Sequence, residues 1–206
     1  IVAGGTVLLN LILSAMAGYP LARMEFKGKK ITFFAILATI MIPFQAIMLP
    51  VYLITLKLHL VDSVSNFAGF IGLIMPFAVS AFGIFLMRQA FLGTSEELRE
   101  AAKIDGASEF RIFYQIMVPI IIPTIAAVCT TQFVSSWNSY MDPLIFINKS
   151  ALYTLPLVLD NFVSMEATQY GLMMAACCLA TVPVFIVFLC GQKFFIKGLT
   201  VGAVKG

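Results

Sequence analysis

Charged residues are scarce in this 206-residue chain: they fill 11% of positions against 61% hydrophobic, and the mean hydropathy is +1.00. Soluble domains carry about 25% charged residues, so the composition excludes an ordinary water-soluble domain and points to a polytopic membrane protein. Histidine is reduced to His59, which lies in a polar connection and offers no partner set for metal binding or proton transfer. Cys129, Cys177, Cys178 and Cys190 all stand inside apolar runs without metal-ligand spacing, and read as helix-packing residues. Gly28-Lys29-Lys30 lacks the preceding glycine spacing of a phosphate-binding loop. The chain is therefore expected to bind neither ATP, another cofactor nor a metal itself, and to hold no catalytic residues. A net charge of +3, thinly dispersed, does not suit a nucleic-acid partner.

What remains is long apolar runs. A membrane helix needs about 20 mainly apolar residues, and five runs qualify: roughly 1–22, 31–56, 66–91, 118–141 and 170–195. Pro43 and Pro50 interrupt the second, and Pro119 and Pro123 open the fourth, so bends are expected there. Lys and Arg set the orientation. Arg23, Lys27, Lys29, Lys30, Arg88, Arg99, Lys103, Arg111, Lys193, Lys197 and Lys205 fall in one set of connections and only Lys57 and Lys149 in the other. The segment 94–117 and the C-terminal tail are thus expected in the cytoplasm, and 57–65 and 142–169 outside. Ile1 then lies outside, within an apolar run and without a leader, which implies an earlier span.

Glu96 to Pro119 is a charged island between two apolar runs. Thr94 and Glu97 have capping-box spacing, so a helix is expected after Gly93. Leu98, Ala101 and Ala102 form a narrow apolar face, and Gly106 suits a left-handed C-terminal cap. Ser108 is a natural N-cap for a second helix, along which Phe110, Phe113, Tyr114 and Met117 make an apolar stripe. Physical chemistry alone leaves two readings open, a connector folded against its own bundle or the bilayer, and a docking surface for a partner.

The residues of the island carry a resemblance. Glu100-Ala101-Ala102, Gly106 after a three-residue gap, Ile116 and Pro119 resemble the signature cytoplasmic loop of permease subunits of binding-protein-dependent ABC importers. Val118 stands where that family usually has Leu. Asp105-Gly106-Ala107, Trp137-Asn138 with Pro143-Leu144, Thr154-Leu155-Pro156 and Tyr19-Pro20-Leu21-Ala22-Arg23 are similar to the maltose-type carbohydrate permeases, as is the ending from Gln192 to Gly206. The resemblance implies one all-α transmembrane permease domain over 1–206, a helix bundle of the type I importer kind. Five spans are present where the family has six. It implies coupling to an ATPase through 94–117, with Glu100, Ala101, Ala102, Asp105, Gly106, Phe110, Ile116 and Pro119 at the contact, and a tail, 197–206, reaching toward the same partner. The partners it implies are a second permease, two ATPase subunits that bind the ATP, an extracytoplasmic binding protein and a carbohydrate.

Polar groups in membrane spans are costly and often line a path. Gln132, Ser136 and Ser139 share a helical face in the fourth run, with Trp137 and Asn138 beside it. This neutral hydrogen-bonding stripe next to an aromatic suits a sugar, though small polar residues also bond helix to helix. Asn10 and Gln45 are weaker candidates, and Asp142 reads as a solvated carboxylate at the outer end. Ser14 and Gly18 form a small-xxx-small pair that permits close helix contact. An ion-coupled carrier of a small polar solute is the alternative, disfavoured because the runs hold almost no ionisable residues.

Overall fold

A computed structural model describes residues 1–61, 66–162 and 170–203, with the side chains of Asn66, Ala151, Asn161 and 195–203 left out. Among the described residues every regular element is helical. They run as α1 (Val2–Arg23), α2 (Lys29–Thr39), α3 (Phe44–Lys57), α4 (Asn66–Ile74), α5 (Ala81–Leu92), α6 (Glu96–Ile104), α7 (Glu109–Ile112), α8 (Val118–Ile120), α9 (Ile122–Trp137), α10 (Met141–Phe146), α11 (Leu155–Leu159) and α12 (Tyr170–Ala203).

Among the described residues, α1 and the Tyr170–Phe194 part of α12 alone are long and apolar enough to span a bilayer unaided; counting each bent helix pair as one span raises the number to five. Those pairs are α2 with α3, Phe67–Phe77 with α5, and Glu109–Ile120 with α9. The expected bends follow proline chemistry only in part. Pro43 caps α3 at the first break, but Pro50 sits inside α3 without ending it. The chain turns by 77° between Ile120 and Ile122, where Pro119 and Pro123 each withhold a backbone donor. The break after Phe77, beside Pro76, falls inside a run that reads as continuous. Pro20 and Pro183 are carried within α1 and α12. The C-terminal tail is helical as far as Ala203, while 204–206 lie outside the described residues. So do parts of the two connections expected outside, 62–65 and 163–169.

The contacts divide the chain into two compact units. In the unit made of 1–8, 43–78 and 130–190, Val61, Leu73, Phe146, Ile147 and Leu152 form the core. His59, exposed and at φ 55, ends α3 as its left-handed C-terminal residue, with Leu60 N–H bonding back to Thr55 O.

In the unit made of 9–42, 79–129 and 191–206, the core gathers Tyr19, Met87, Phe91, Ile112 and Met117. Tyr19 meets Phe91 edge-on at 5.3 Å and Phe113 at 5.2 Å, pairs each worth about 0.5–1.5 kcal/mol beyond burial. Here α1 and α5 touch backbone to backbone: a Cβ added at Gly18 would lie 2.9 Å from Arg88 N, and one at Gly83 2.7 Å from Ser14 Oγ. The Ser14/Gly18 pair therefore does permit the close contact its spacing suggests. Asn10 is fully buried at the same seam and accepts a hydrogen bond from Ser14 Oγ at 3.3 Å. Gln45, the other minor path candidate, is exposed on α3.

Candidate coupling site

The island is two short helices joined by a glycine turn, with a charged underside and an apolar outer face. α6 begins at Ser95, whose Oγ accepts from Glu97 N–H at 3.2 Å. The expected cap, Thr94, is displaced by one residue. Its hydroxyl donates to Phe91 O at 2.6 Å and accepts from Arg23 Nη2 at 2.8 Å. Two adjacent hydroxyl residues can each cap a helix, and Arg23 recruits the first. At the other end Gly106 takes φ +78, Ala107 N–H bonds Ala102 O at 2.9 Å and Gly106 N–H bonds Lys103 O at 3.0 Å. That pair of bonds is a Schellman termination, with Asp105 as the C-cap residue. Ser108 caps α7 by accepting from Arg111 N–H, as its position implies.

After Ile112 the helix widens into π turns over Phe113–Met117. Pro119 supplies no N–H to the carbonyl four residues before it, which favours wider turns upstream. The widening breaks the expected stripe. Residues five apart now share a face, so Ile112 and Met117 are fully buried. Phe113 and Ile116 are half-buried against the core, while Phe110 and Tyr114 turn out to the surface. Pro119 itself is exposed in α8.

Beneath the helices an ion-pair chain ties them together. Arg23 Nη1 donates to Glu96 Oε2 at 2.5 Å, and its other donors reach the carbonyls of Phe91, Leu92 and Thr94. Glu96 Oε1 accepts from Arg99 Nη1 at 2.6 Å, and Arg99 Nη2 donates to Glu109 Oε1 at 2.6 Å. Lys103 reaches the same oxygen at 2.7 Å, and Tyr19 donates to Glu109 Oε2 at 2.8 Å. The hydrogen bond from Arg99 holds the Glu96 carboxyl below its usual range, against the opposing effect of partial burial. The sequence offers Arg23, Glu96, Arg99 and Glu109 only as scattered charges. The one local sign is the Glu96/Arg99 spacing of three, and the links to Arg23 and Tyr19 are tertiary.

The outer face differs. Leu98 and Ala101 are exposed, Ile104 is 86% exposed and Phe110 70%. Ala102, expected to share their face, is turned into the core, because 100° per residue carries it from the rim of the outer face to the inner one. Glu100 is exposed and, among the described residues, has no ion-pair partner.

The path candidates sit apart in sequence, in the other unit. Gln132, Ser136 and Ser139 line one cavity with Asp142. Trp137 donates its indole N–H to Ala180 O at 3.0 Å and stacks on Phe133, while Asn138 is exposed and lines no described cavity. Asp142 departs from its reading as a solvated carboxylate. It is half-buried, burial pushes its carboxyl up, and Ser139 Oγ donates to it at 2.5 Å.

The family model described as the inner membrane component of binding-protein-dependent transport systems matches residues 10–201. An arabinooligosaccharides transport system permease of Bacillus subtilis is 40% identical over 98% of this chain and 69% of its own length. A lactose transport system permease of Rhizobium radiobacter is 36% identical over 96% of this chain and 70% of its own. A chain in the crystal structure of a bacterial ABC transporter involved in import of the acidic polysaccharide alginate superposes with a TM-score of 0.80 at 26% identity, covering 94% of this chain and 71% of that one. With the match running through both units and the island alike, this multi-pass chain belongs to the family of inner membrane components of binding-protein-dependent transport systems.

Proposed function

We propose that this chain is the permease subunit of an ATP-binding cassette importer for a carbohydrate, and that the island of 94–117 is where an ATPase subunit docks. The observation that carries the docking role is the division of the island into two sides. Its ion pairs and Ala102, Ile112 and Met117 are turned inward, leaving Leu98, Ala101, Ile104 and Phe110 exposed beside a carboxylate, Glu100. A connector folded on its own bundle would bury its large apolar side chains, and exposed apolar patches rimmed by polar residues mark interaction sites. The Schellman turn and the ion-pair chain make the two helices a stiff unit, which suits a part that passes a partner's motion to the spans.

On this reading the ATPases bind the ATP and this chain binds none. One transmembrane permease domain, paired with a second permease, forms half of the path, and an extracytoplasmic binding protein delivers the solute. The island and the tail of 197–206 face the cytoplasm. Gln132, Ser136, Trp137, Asn138 and Ser139 belong to the path wall. A carbohydrate is supported by the relatives, whose names give arabinooligosaccharides and lactose. Membership in a binding-protein-dependent family disfavours the ion-coupled carrier. The test is co-purification of the ATPase with Ile104→Asp and Phe110→Asp chains, together with labelled-sugar uptake. Loss of both while the permeases stay inserted and paired supports the docking role, and unchanged association and uptake refute it.

A further inference from the structure

Within the unit of 1–8, 43–78 and 130–190, polar side chains from three stretches of sequence converge. Thr6, Gln132, Ser136, Ser139, Asp142 and Thr154 line a cavity of about 50 Å³. Thr6 is 1% exposed, and its hydroxyl has no hydrogen-bond partner among the described residues; the buried hydroxyl of Thr154 has none there either. Buried hydroxyls are almost always paired, so two unpaired ones on one small cavity point to a polar occupant. On this measure a water needs about 10–15 Å³, so the space accepts a few waters or a hydroxymethyl arm. The lining contains one carboxylate and no Lys or Arg. A second cavity of about 230 Å³ shares Ser136 and Thr154 and is walled by Phe70, Trp137 and Tyr153.

We infer that these adjoining cavities are a subsite on this subunit for a neutral saccharide unit, and that they discriminate against uronates. The inference rests on the carbohydrate reading above. Sugar hydroxyls both donate and accept, which satisfies the hydroxyls of Thr6 and Thr154 and the side chain of Gln132. Ser139 already donates to Asp142 Oδ2, and the carboxylate's remaining acceptor sites suit a sugar hydroxyl. The C–H face of the ring packs on the aromatic wall, where Trp137 is fixed by its bond to Ala180 O and its stack on Phe133. A C6 carboxylate in the same place would face Asp142 with no cation among the described lining residues to offset it, and like charges at such range repel strongly outside bulk water.

The experiment uses the assembled importer in lipid nanodiscs without its binding protein. Equilibrium binding of labelled galactobiose and maltose is compared with that of their C6-oxidised uronates. The neutral sugar of at least one pair should bind at least tenfold tighter than its uronate. Thr6→Val should weaken neutral binding about fivefold or more, and the isosteric Asp142→Asn should narrow the gap by a similar factor. ATPase co-purification confirms assembly of each variant. Equal binding of both members, a gap unchanged by Asp142→Asn, or neutral binding indifferent to Thr6→Val overturns the subsite. Oligosaccharide uptake by the complete wild-type importer is followed in parallel. Intact uptake without discrimination at the cavity removes the subsite alone, whereas absence of uptake of every saccharide removes the carbohydrate reading with it.

Discussion

Arg99 on α6 and Glu109 on α7 meet at 2.6 Å across the Gly106 turn, so the two island helices are clamped by a charge pair as well as by the backbone. The same guanidinium holds Glu96, which in turn holds Arg23 at the end of α1. Arg99 therefore connects the island to the first span. Removing one partner from a fully buried pair costs about 3–5 kcal/mol. Glu96 keeps 41% of its side-chain surface, and exposure screens such pairs, so Arg99→Met should cost about 2 kcal/mol. A lowered thermal unfolding midpoint of the purified complex checks this. Arg99→Lys should recover little, because an ammonium lacks the fork that bridges two carboxylates.

Gly106 isolates the conformational part of the clamp. An added Cβ there meets nothing within 4 Å, yet φ is +78, so any penalty comes from the backbone. Gly106→Val should cost about 1–3 kcal/mol and reduce ATPase association and uptake. Gly106→Asn, whose side chain tolerates the left-handed region, should retain most of both. Equal behaviour of the two variants in the pull-down and uptake assays would show that the turn's handedness is irrelevant.

Glu100 tests the outer face without disturbing the inner one. It is exposed and outside the ion-pair chain, so Glu100→Ala should change stability by no more than about 0.5 kcal/mol. It should nevertheless weaken ATPase association and lower uptake. Wild-type values in both assays would remove Glu100 from the docking surface.

How far the sequence discloses this architecture depends on the range of each interaction. Ser108 and Gly106 act through neighbouring backbone, and their roles are readable from spacing. The apolar runs give five spans, but not which of them are broken. Pro50 leaves α3 intact, and the break after Phe77 falls in a run that reads as continuous. A strict 3.6-residue period places Phe110, Phe113, Tyr114 and Met117 on one stripe. The π turns upstream of Pro119 instead pair Ile112 with Met117 and free Phe110 and Tyr114. The face of Leu98, Ala101 and Ala102 divides for a related reason: apolar character does not tell whether a position meets its own core or a partner. The polar stripe of Gln132, Ser136 and Ser139 is visible as a period. Asp142 joins it locally, three residues after Ser139, while Thr6 and Thr154 reach the same cavity through tertiary folding.

The α1–α5 contact makes a prediction about assembly. Gly18 leaves no room for a methyl, since an added Cβ would meet the backbone of Arg88 at 2.9 Å. Gly18→Ala should cost about 1–3 kcal/mol by overpacking, and Gly18→Leu should leave little folded protein in the membrane. Gly4, whose added Cβ meets nothing within 4 Å, is the matched control. Comparable expression and thermal stability for Gly18→Ala and Gly4→Ala would contradict the packing.

Orientation is tested by thiol labelling. A cysteine replacing Ser108, in a chain whose native cysteines are replaced, should resist a membrane-impermeant maleimide in intact cells and react once the membrane is opened. A cysteine replacing exposed Lys57 should react without opening. Labelling of the Ser108 position in intact cells would invert the topology.

Cross-linking between the island and the ATPase tests the docking surface most directly. Single cysteines are placed at outward Ala101, Ile104 and Phe110 and at inward Ala102, and scanned against cysteines on the ATPase with a short thiol-reactive linker. Cross-links are expected from the three outward positions, altered in yield by ATP, and none from Ala102. Absence of cross-links from all three outward positions in an assembled, transporting complex would contradict it.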